Sequence, residues 1–351
     1  MTSLEALAFR ALRAAGDVRF HRQHRGQAAA VLASVESERG ATDPALIKAC
    51  DDYAGDVLGR HGYAPWLRVY AAVAGEFRTG WIPDNYYGRI VLPAVQGPYG
   101  EVSKLKPLSR RLLQTDLLAD VAYWVNGGLY GRDLEHLDRA DLVAVLFADS
   151  DRVVFKSDDS VQGQGVRILD RAGFGADGLA RLPSGVFQTY VRQHPLFAEF
   201  TPASVATIRI TTTVTDDGGC RVRAAYLRLG RASDTHVQST SHLRVALDPE
   251  TGAFADDGFT TDWRTLTAHP DTGVTFAGNR APGFGSCTAA VVELHRRMPF
   301  ARNVGWDVVV DSDDEVKVLE WNAGHNDIKF SEAVQGPCFA DLGWETLWRT
   351  R

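Results

Sequence analysis

Two apolar runs, Gly305-Trp306-Asp307-Val308-Val309-Val310 and Val316-Lys317-Val318-Leu319-Glu320-Trp321-Asn322, constrain the fold of this chain more than any other feature. Both are too short and too β-branched for helices, and the acidic stretch Asp311–Glu315 between them predicts the turn of an antiparallel hairpin. A hairpin centred near Asp313 sets Asp307 opposite Glu320, and the two-residue alternation of a strand brings Asn322 onto the same face. Val308 and Leu319 then point to the other side, while Val309 and Val318 share the acidic face, so both faces read as largely buried. Opposed buried carboxylates repel unless a cation lies between them. Oxygen ligands of this kind suit Mg²⁺, or Mn²⁺ in its place, held jointly with substrate phosphates. A solvated face with coincidental acids is the plainer alternative, and the expected burial weighs against it.

A second feature is Val153-Val154-Phe155-Lys156, a strand that delivers a lysine into the polar loop Ser157–Gly165 before a further strand at Val166–Leu169. Glycines let backbone N–H groups approach phosphate oxygens closely, and a lysine there supplies charge to an anionic ligand. The stretch is neither a Walker loop nor a dinucleotide fingerprint, since GxxxxGK[ST] is missing and no helix follows the glycines. A plain hairpin with a surface lysine explains it equally well. Lysine is scarce, six residues against a large excess of arginine, so one inside an apolar strand stands out. Arg209 and Arg228 lie within the predicted hairpin strands Val205–Val214 and Arg221–Leu229, where an arginine ordinarily has an anionic partner. That partner is either a transferring phosphoryl group or an internal carboxylate.

The remaining chain reads as α+β. Helices are expected from Leu4, ending at Gly16, from Asp43-Pro44 to Leu58, from Leu108 onward, and through Cys287–Met298; Asp141–Phe147 reads as a strand. Residues 1–105 form an expected helical accessory or substrate lobe, 106–190 a small lobe and 191–351 a larger C-terminal lobe, in line with a 351-residue chain too long for one core. A net charge of −6 gives no reason to expect nucleic acid or a membrane surface as partner. The four cysteines show no CxxC spacing, and no run of about 18 apolar residues occurs, so a soluble, reduced, cytoplasmic protein is expected. No GxSxG, HExxH or Cys–His pattern marks a hydrolase. His194, His269-Pro270 and Gly324-His325-Asn326-Asp327 carry polar groups suited to substrate contact, though such residues are more often structural.

From Leu108 to Pro337 the order of these elements resembles the ATP-grasp superfamily, and within it the branch of sugar-transfer associated ATP-grasp proteins related to glutamate-ligase-like enzymes. The resemblance is carried by Phe155-Lys156 with its loop, Gln188–His194, Thr207-Ile208-Arg209, Leu227-Arg228-Leu229-Gly230, Asp248–Gly252, His269–Gly273, Gly305-Trp306-Asp307 and Glu320-Trp321-Asn322. It implies an ATP-grasp fold in which two α+β lobes clasp ATP. Lys156 would contact the ATP phosphates or adenine, and Ser160, Gln162, Gly163 and Gly165 would close over the phosphates. Gln188, Tyr190 and Val191 would form the adenine-side hinge. Asp307, Glu320 and Asn322 would hold Mg²⁺; Arg209 and Arg228 would steady the γ-phosphate and an acyl phosphate; His325 and Asn326 would meet substrate. A basic residue expected ahead of the nucleotide lobe has Arg111 as its nearest match. Departures at Ala206 and at Ser241-His242-Leu243-Arg244 fall on the substrate side and bear on acceptor identity.

The implied activity is a carboxylate–amine ligase forming an amide through an acyl phosphate, with release of ADP, on a small-molecule or glycan-precursor substrate; a homodimer is compatible with it. A phosphotransferase acting on a hydroxyl and a non-catalytic nucleotide-binding protein are the alternatives. Opposed metal-binding carboxylates argue against the last.

Overall fold

The structure is a computed structural model that describes residues 3–158, 165–179, 181–231, 234, 236 and 241–350, with only the backbone described for 3–14, 176 and 177. The chain divides into two compact units: residues 1–95 with 262–264 and 327–351, and residues 96–261 with 265–326.

The first unit is helical. Its long helix, Ser3–Arg39, runs through Gly16, where the sequence reading placed a stop. One interior glycine costs only about 1 kcal/mol relative to alanine, which helix formers on either side offset. The next helix, Pro44–Asp56, begins as expected, with the Asp43 side chain accepting from Ala45 N at 2.8 Å and proline in the first turn. Helix Ala64–Ala74 buries Trp66, Leu67 and Tyr70, and the helix Lys329–Val334 buries Phe330 and Ala333 in the same unit. Glu332 is fully buried there, its carboxylate accepting from Ile82 N and Cys338 N, both at 2.7 Å. Among the described residues no helix is long and apolar enough to cross a membrane.

The second unit is built on two antiparallel sheets. The strands are β1 (Asp120–Val125), β2 (Gly128–Gly131), β3 (Arg152–Ser157), β4 (Val166–Asp170), β5 (Gly185–Thr189), β6 (Thr207–Val214), β7 (Cys220–Leu229), β8 (Leu243–Leu247), β9 (Phe254–Phe259), β10 (Thr265–Leu266), β11 (Asn303–Val310) and β12 (Val316–Asn322). Their order is β2-β1-β5-β3-β4 in the smaller sheet and β10-β9-β8-β7-β6-β11-β12 in the larger. The smaller sheet buries Trp124, Phe155 and Phe187 against the helix Leu142–Leu146. That helix replaces the strand expected at Asp141–Phe147. A five-residue apolar run fits either period, and here Leu142 and Leu146, four apart, both enter the core.

The larger sheet packs one face on the helix Phe284–Arg296 over a core containing Ile208, Ile210, Trp306 and Trp321. Its central strands β6 and β11 are buried along their whole length. His295 sits under them, its Nδ1 2.6 Å from Thr212 Oγ1 and its Nε2 2.7 Å from the Ala301 carbonyl. The Ala301 carbonyl can only accept, so Nε2 carries the proton, and in the neutral ring Nδ1 accepts from the Thr212 hydroxyl, whose oxygen also accepts from Trp306 Nε1 at 2.8 Å. Burial pulls the His295 pKa to about 4, which keeps the imidazole neutral.

Candidate functional site

The register of the larger sheet assembles the site. Asp307 on β11 pairs with Glu320 on β12, as the hairpin reading required, and with Arg209 on β6. Arg209 in turn faces Tyr226 on β7, which puts Arg228, two residues on, at the diagonal position of the same face. One row across four strands thus reads Arg228, Arg209, Asp307, Glu320.

Within that row the Asp307 carboxylate is gripped from two sides. Arg209 donates Nε to Oδ1 at 2.6 Å and Nη2 to Oδ2 at 3.1 Å, while Arg228 Nη1 lies 3.2 Å from both oxygens. Burial alone would push this carboxyl up, but the two guanidiniums outweigh it and the pKa falls to about 2. The third arm of Arg209, Nη1, reaches Asn326 Oδ1 at 3.2 Å, and Asn326 Nδ2 donates to Thr211 Oγ1 at 3.0 Å. Gly305 makes room for that amide: a Cβ there would lie 2.0 Å from Asn326 Oδ1.

The repulsion first expected between Asp307 and Glu320 is therefore relieved by the protein's own cations. Asp307 has its two arginines, and Glu320, partly exposed, has Lys106 Nζ at 3.9 Å. A β-bulge between Asp307 and Val308 corrects the expected facing. Val308 pairs with Val318, both in the core, and Leu319 is the extra residue, so Val318 does not share the acidic face. The bulge also turns the Leu319 carbonyl toward the smaller sheet, where it accepts from Lys156 Nζ at 3.3 Å and Gln188 Nε2 at 3.2 Å.

Lys156 ends β3 as predicted, and desolvation of its ammonium pulls the pKa below the ordinary lysine value. Beside it, Gln188 on β5 is buried; its Nε2 also donates to Asp120 Oδ1 at 2.9 Å, and its Oε1 has no partner among the described residues. Gly165 closes the loop after Lys156 with φ of 91°, and its carbonyl accepts from Ser157 N at 3.3 Å. Ser160, Gln162 and Gly163 lie outside the described residues. Tyr190 and Val191 follow β5, with the Arg152 guanidinium stacked 4.0 Å from the Tyr190 ring centre.

Arg111 does not join this cluster. On the helix Lys106–Leu113 it is exposed, whereas Lys106, five residues earlier, is buried and reaches both Glu320 and, at 3.4 Å, the Asp158 carbonyl. Five residues rotate a helix by roughly 140°, which separates the two faces. Lys106 is the residue of this cluster that the sequence does not single out. Its scarcity as a lysine beside Pro107, at the start of a helix, was the available signal. His325 is exposed, while its neighbour Asn326 is fully buried on Arg209.

The cations Lys106, Lys156 and Arg228, the last with an Nε that has no hydrogen-bond partner among the described residues, fit a polyphosphate. Glu320, and the Asn322 amide oxygen left over when its Nδ2 donates to Gly305 O at 3.4 Å, fit a hard divalent cation that keeps waters and phosphates as its other ligands. Among the described residues no three His, Cys, Asp or Glu side chains gather as a metal cluster of their own.

Two antiparallel sheets carrying a lysine on one and a carboxylate–amide pair on the other define an α+β fold of the ATP-grasp type. The model of the family described as sugar-transfer associated ATP-grasp matches residues 178–342, somewhat under half of the chain, and over that stretch the chain is similar to this family. Among solved structures, the ATP-grasp ligase PsnB complexed with minimal precursor is 17% identical with a TM-score of 0.42, over 83% of this chain and 68% of that one. The biotin carboxylase domain of Hydrogenobacter thermophilus 2-oxoglutarate carboxylase, solved with MgADP, is 10% identical (TM-score 0.40, 69% of this chain and 44% of that one). Biotin carboxylase from Campylobacter jejuni is 8% identical (TM-score 0.42, 73% and 47%). The chain thus spans less than half of either biotin carboxylase. These likenesses are distant. None of the curated proteins compared matches the chain.

Proposed function

We propose that this chain is an ATP-dependent ligase that activates a carboxylate as its acyl phosphate and joins it to an amine, releasing ADP and phosphate. The observation that carries the reading is the meeting of Lys156, Gln188 and Lys106 with the Glu320 end of the β11–β12 hairpin, through the Leu319 carbonyl and the Lys106–Glu320 pair. A buried lysine, a second lysine and an oxygen-ligand pair on one side are what a metal-bound nucleoside triphosphate requires.

Residues 106–190 are read as the small nucleotide lobe and the chain from 191 as the lobe with metal and acceptor groups. Lys156 and Lys106 hold phosphate oxygens, and the stretch Gln188–Val191 meets the base. Glu320 and Asn322, with Asp307 at their flank, would hold Mg²⁺, which neutralises charge on the transferring phosphoryl group. Arg228, pinned through Asp307 beside Arg209, adds positive charge on the side of the acyl phosphate. Arg209, fixed at all three nitrogens, holds the row in place. Positioning and charge neutralisation supply most of the rate enhancement in chemistry of this type. His325 and Asn326 lie where the chain leaves the sheet and are read as acceptor-side groups, with a small molecule or a glycan precursor as substrate.

The test is ATP consumption with Mg²⁺ against pools of carboxylates and amines, read by mass spectrometry. ADP with a dehydrative adduct is the expected result; ADP with a stable phosphorylated metabolite would replace the ligase with a kinase.

A further inference from the structure

The helix Lys106–Leu113 has a second working face. Opposite Lys106, it forms one wall of a cleft of about 340 Å³ whose lining includes Arg110, Arg111 and Arg132. Two of these guanidiniums are already engaged. Arg110 donates to Asp116 Oδ1 at 2.6 Å and to the Thr115 carbonyl at 2.9 Å, and Arg132 donates to the same Asp116 oxygen at 3.0 Å. Asp133 adds a weaker contact to Arg110 at 3.5 Å. Arg111 is exposed, lines the same space and has no partner among the described residues. Three arginines against two aspartates leave the cleft one net positive charge, located on Arg111.

Two further observations set the cleft apart. Gln114 and Leu134, both lining it, hold left-handed backbone conformations with φ of 46° and 69°. Gln114 holds it as the C-cap of the helix, an ordinary place for it; Leu134 caps no helix, and strained non-glycine residues of that kind concentrate at ligand sites. Leu134 is also one of the few large apolar side chains left exposed, and with Pro107 it gives the cleft an apolar edge beside its charge. At the back, Tyr123 donates to Asp120 Oδ2 at 3.0 Å, and Asp120 accepts from Gln188, so the cleft wall is continuous with the residues around Lys156.

We propose that this cleft is a binding site for a small organic carboxylate, separate from the nucleotide cluster, in which Arg111 forks the carboxylate and Leu134 with Pro107 contacts an apolar chain. A planar guanidinium matches a carboxylate bidentately. The flanking Asp116 and Asp133 restrict the ligand to a single charge, since a dianion would meet their repulsion. The proposal does not depend on which reaction the nucleotide site performs.

Isothermal titration of the full chain with hexanoate and with hexanamide, its uncharged counterpart, tests it, with inorganic phosphate as a third probe. Hexanoate is expected to bind one to one and at least tenfold more tightly than the amide, and Arg111→Ala to weaken it at least tenfold. Arg111→Lys should fall between. Lys156→Ala should abolish ATP binding and leave hexanoate binding in place, which separates this site from the nucleotide reading. Equal affinity for acid and amide, an unaffected Arg111→Ala, or displacement of hexanoate by ATP would each overturn the proposal. Tighter binding of phosphate than of hexanoate would overturn the ligand class.

Discussion

Two buried carboxylates, Asp307 in the sheet unit and Glu332 in the helical unit, are handled in opposite ways. Both lie almost out of reach of solvent. Asp307 faces two guanidiniums, and its pKa drops to about 2; Glu332 faces backbone N–H groups, and burial lifts its pKa to about 7. A charged partner keeps an acid ionised where water is absent, whereas neutral donors do so only in part. The first arrangement maintains a fixed charge beside the proposed nucleotide site. The second ties Ile82 and Cys338 to one helix and needs no charge to do so.

Asp307→Asn strikes the charged arrangement hardest. Removing one partner of a buried ion cluster leaves uncompensated charge, here two arginines, and typically costs about 3–5 kcal/mol. Denaturant unfolding should show a loss of that size; a loss below about 1 kcal/mol would mean that the arginines find other partners. The pH dependence has a definite sign. Because the folded pKa is depressed, the stabilisation is present above the ordinary aspartate range near 4 and is lost as pH falls toward about 2. The variant should lack that part of the acid transition.

Glu320→Gln probes the neighbouring acid, which is held loosely by Lys106 and partly exposed. Turnover should fall about 10²–10³-fold, the scale of removing one well-placed charge-stabilising group, while the melting temperature stays close to wild type. Undiminished ADP release would sink the metal assignment. Gly305→Ala is smaller again. A methyl 2.0 Å from Asn326 Oδ1 must displace that amide or bend β11, at roughly 1–3 kcal/mol of overpacking. If stability is unchanged, Asn326 is not a firm support for Arg209.

Much of the site was legible because antiparallel register is arithmetic. The Asp307–Glu320 pairing was within reach of a hairpin centred near Asp313, although the register Val310–Val316 alone would set Asp307 opposite Leu319 and it is the bulge that brings Glu320 across; Arg209 and Arg228 stand out as charges inside apolar strands. What the sequence hid were departures from regularity. One extra residue at Leu319 reverses the facing of Val318 and creates the carbonyl that Lys156 and Gln188 share. The cation relieving the two acids was read as a metal, yet the protein's own side chains already supply it, because Arg228 is reached by a diagonal that only the β6–β7 register reveals. Lys106 was passed over for Arg111 because a helix shows its faces only once its start is fixed. In the helical unit, the joining of residues 327–351 to the N-terminal helices rests on contacts distant in sequence, such as Glu332 with Ile82, which no local pattern encodes.

Glu332 gives the other half of the comparison its own test. Its folded pKa lies above the unfolded value near 4.5, so the unfolded chain releases this proton first as pH rises. Stability should therefore decline between about pH 4.5 and 7, by at most about 1.4 kcal/mol per pH unit from this one group. Glu332→Gln removes the titration while keeping a carbonyl oxygen to accept from one backbone donor. The variant begins less stable, because its amide NH₂ must face the other N–H. The readout is therefore the difference in slope, from urea unfolding of both proteins at pH 5, 6 and 7. Wild type should lose stability relative to the variant across that range. Parallel curves would mean that Glu332 stays ionised when buried, and that two backbone N–H groups can do the work for which Asp307 uses two arginines.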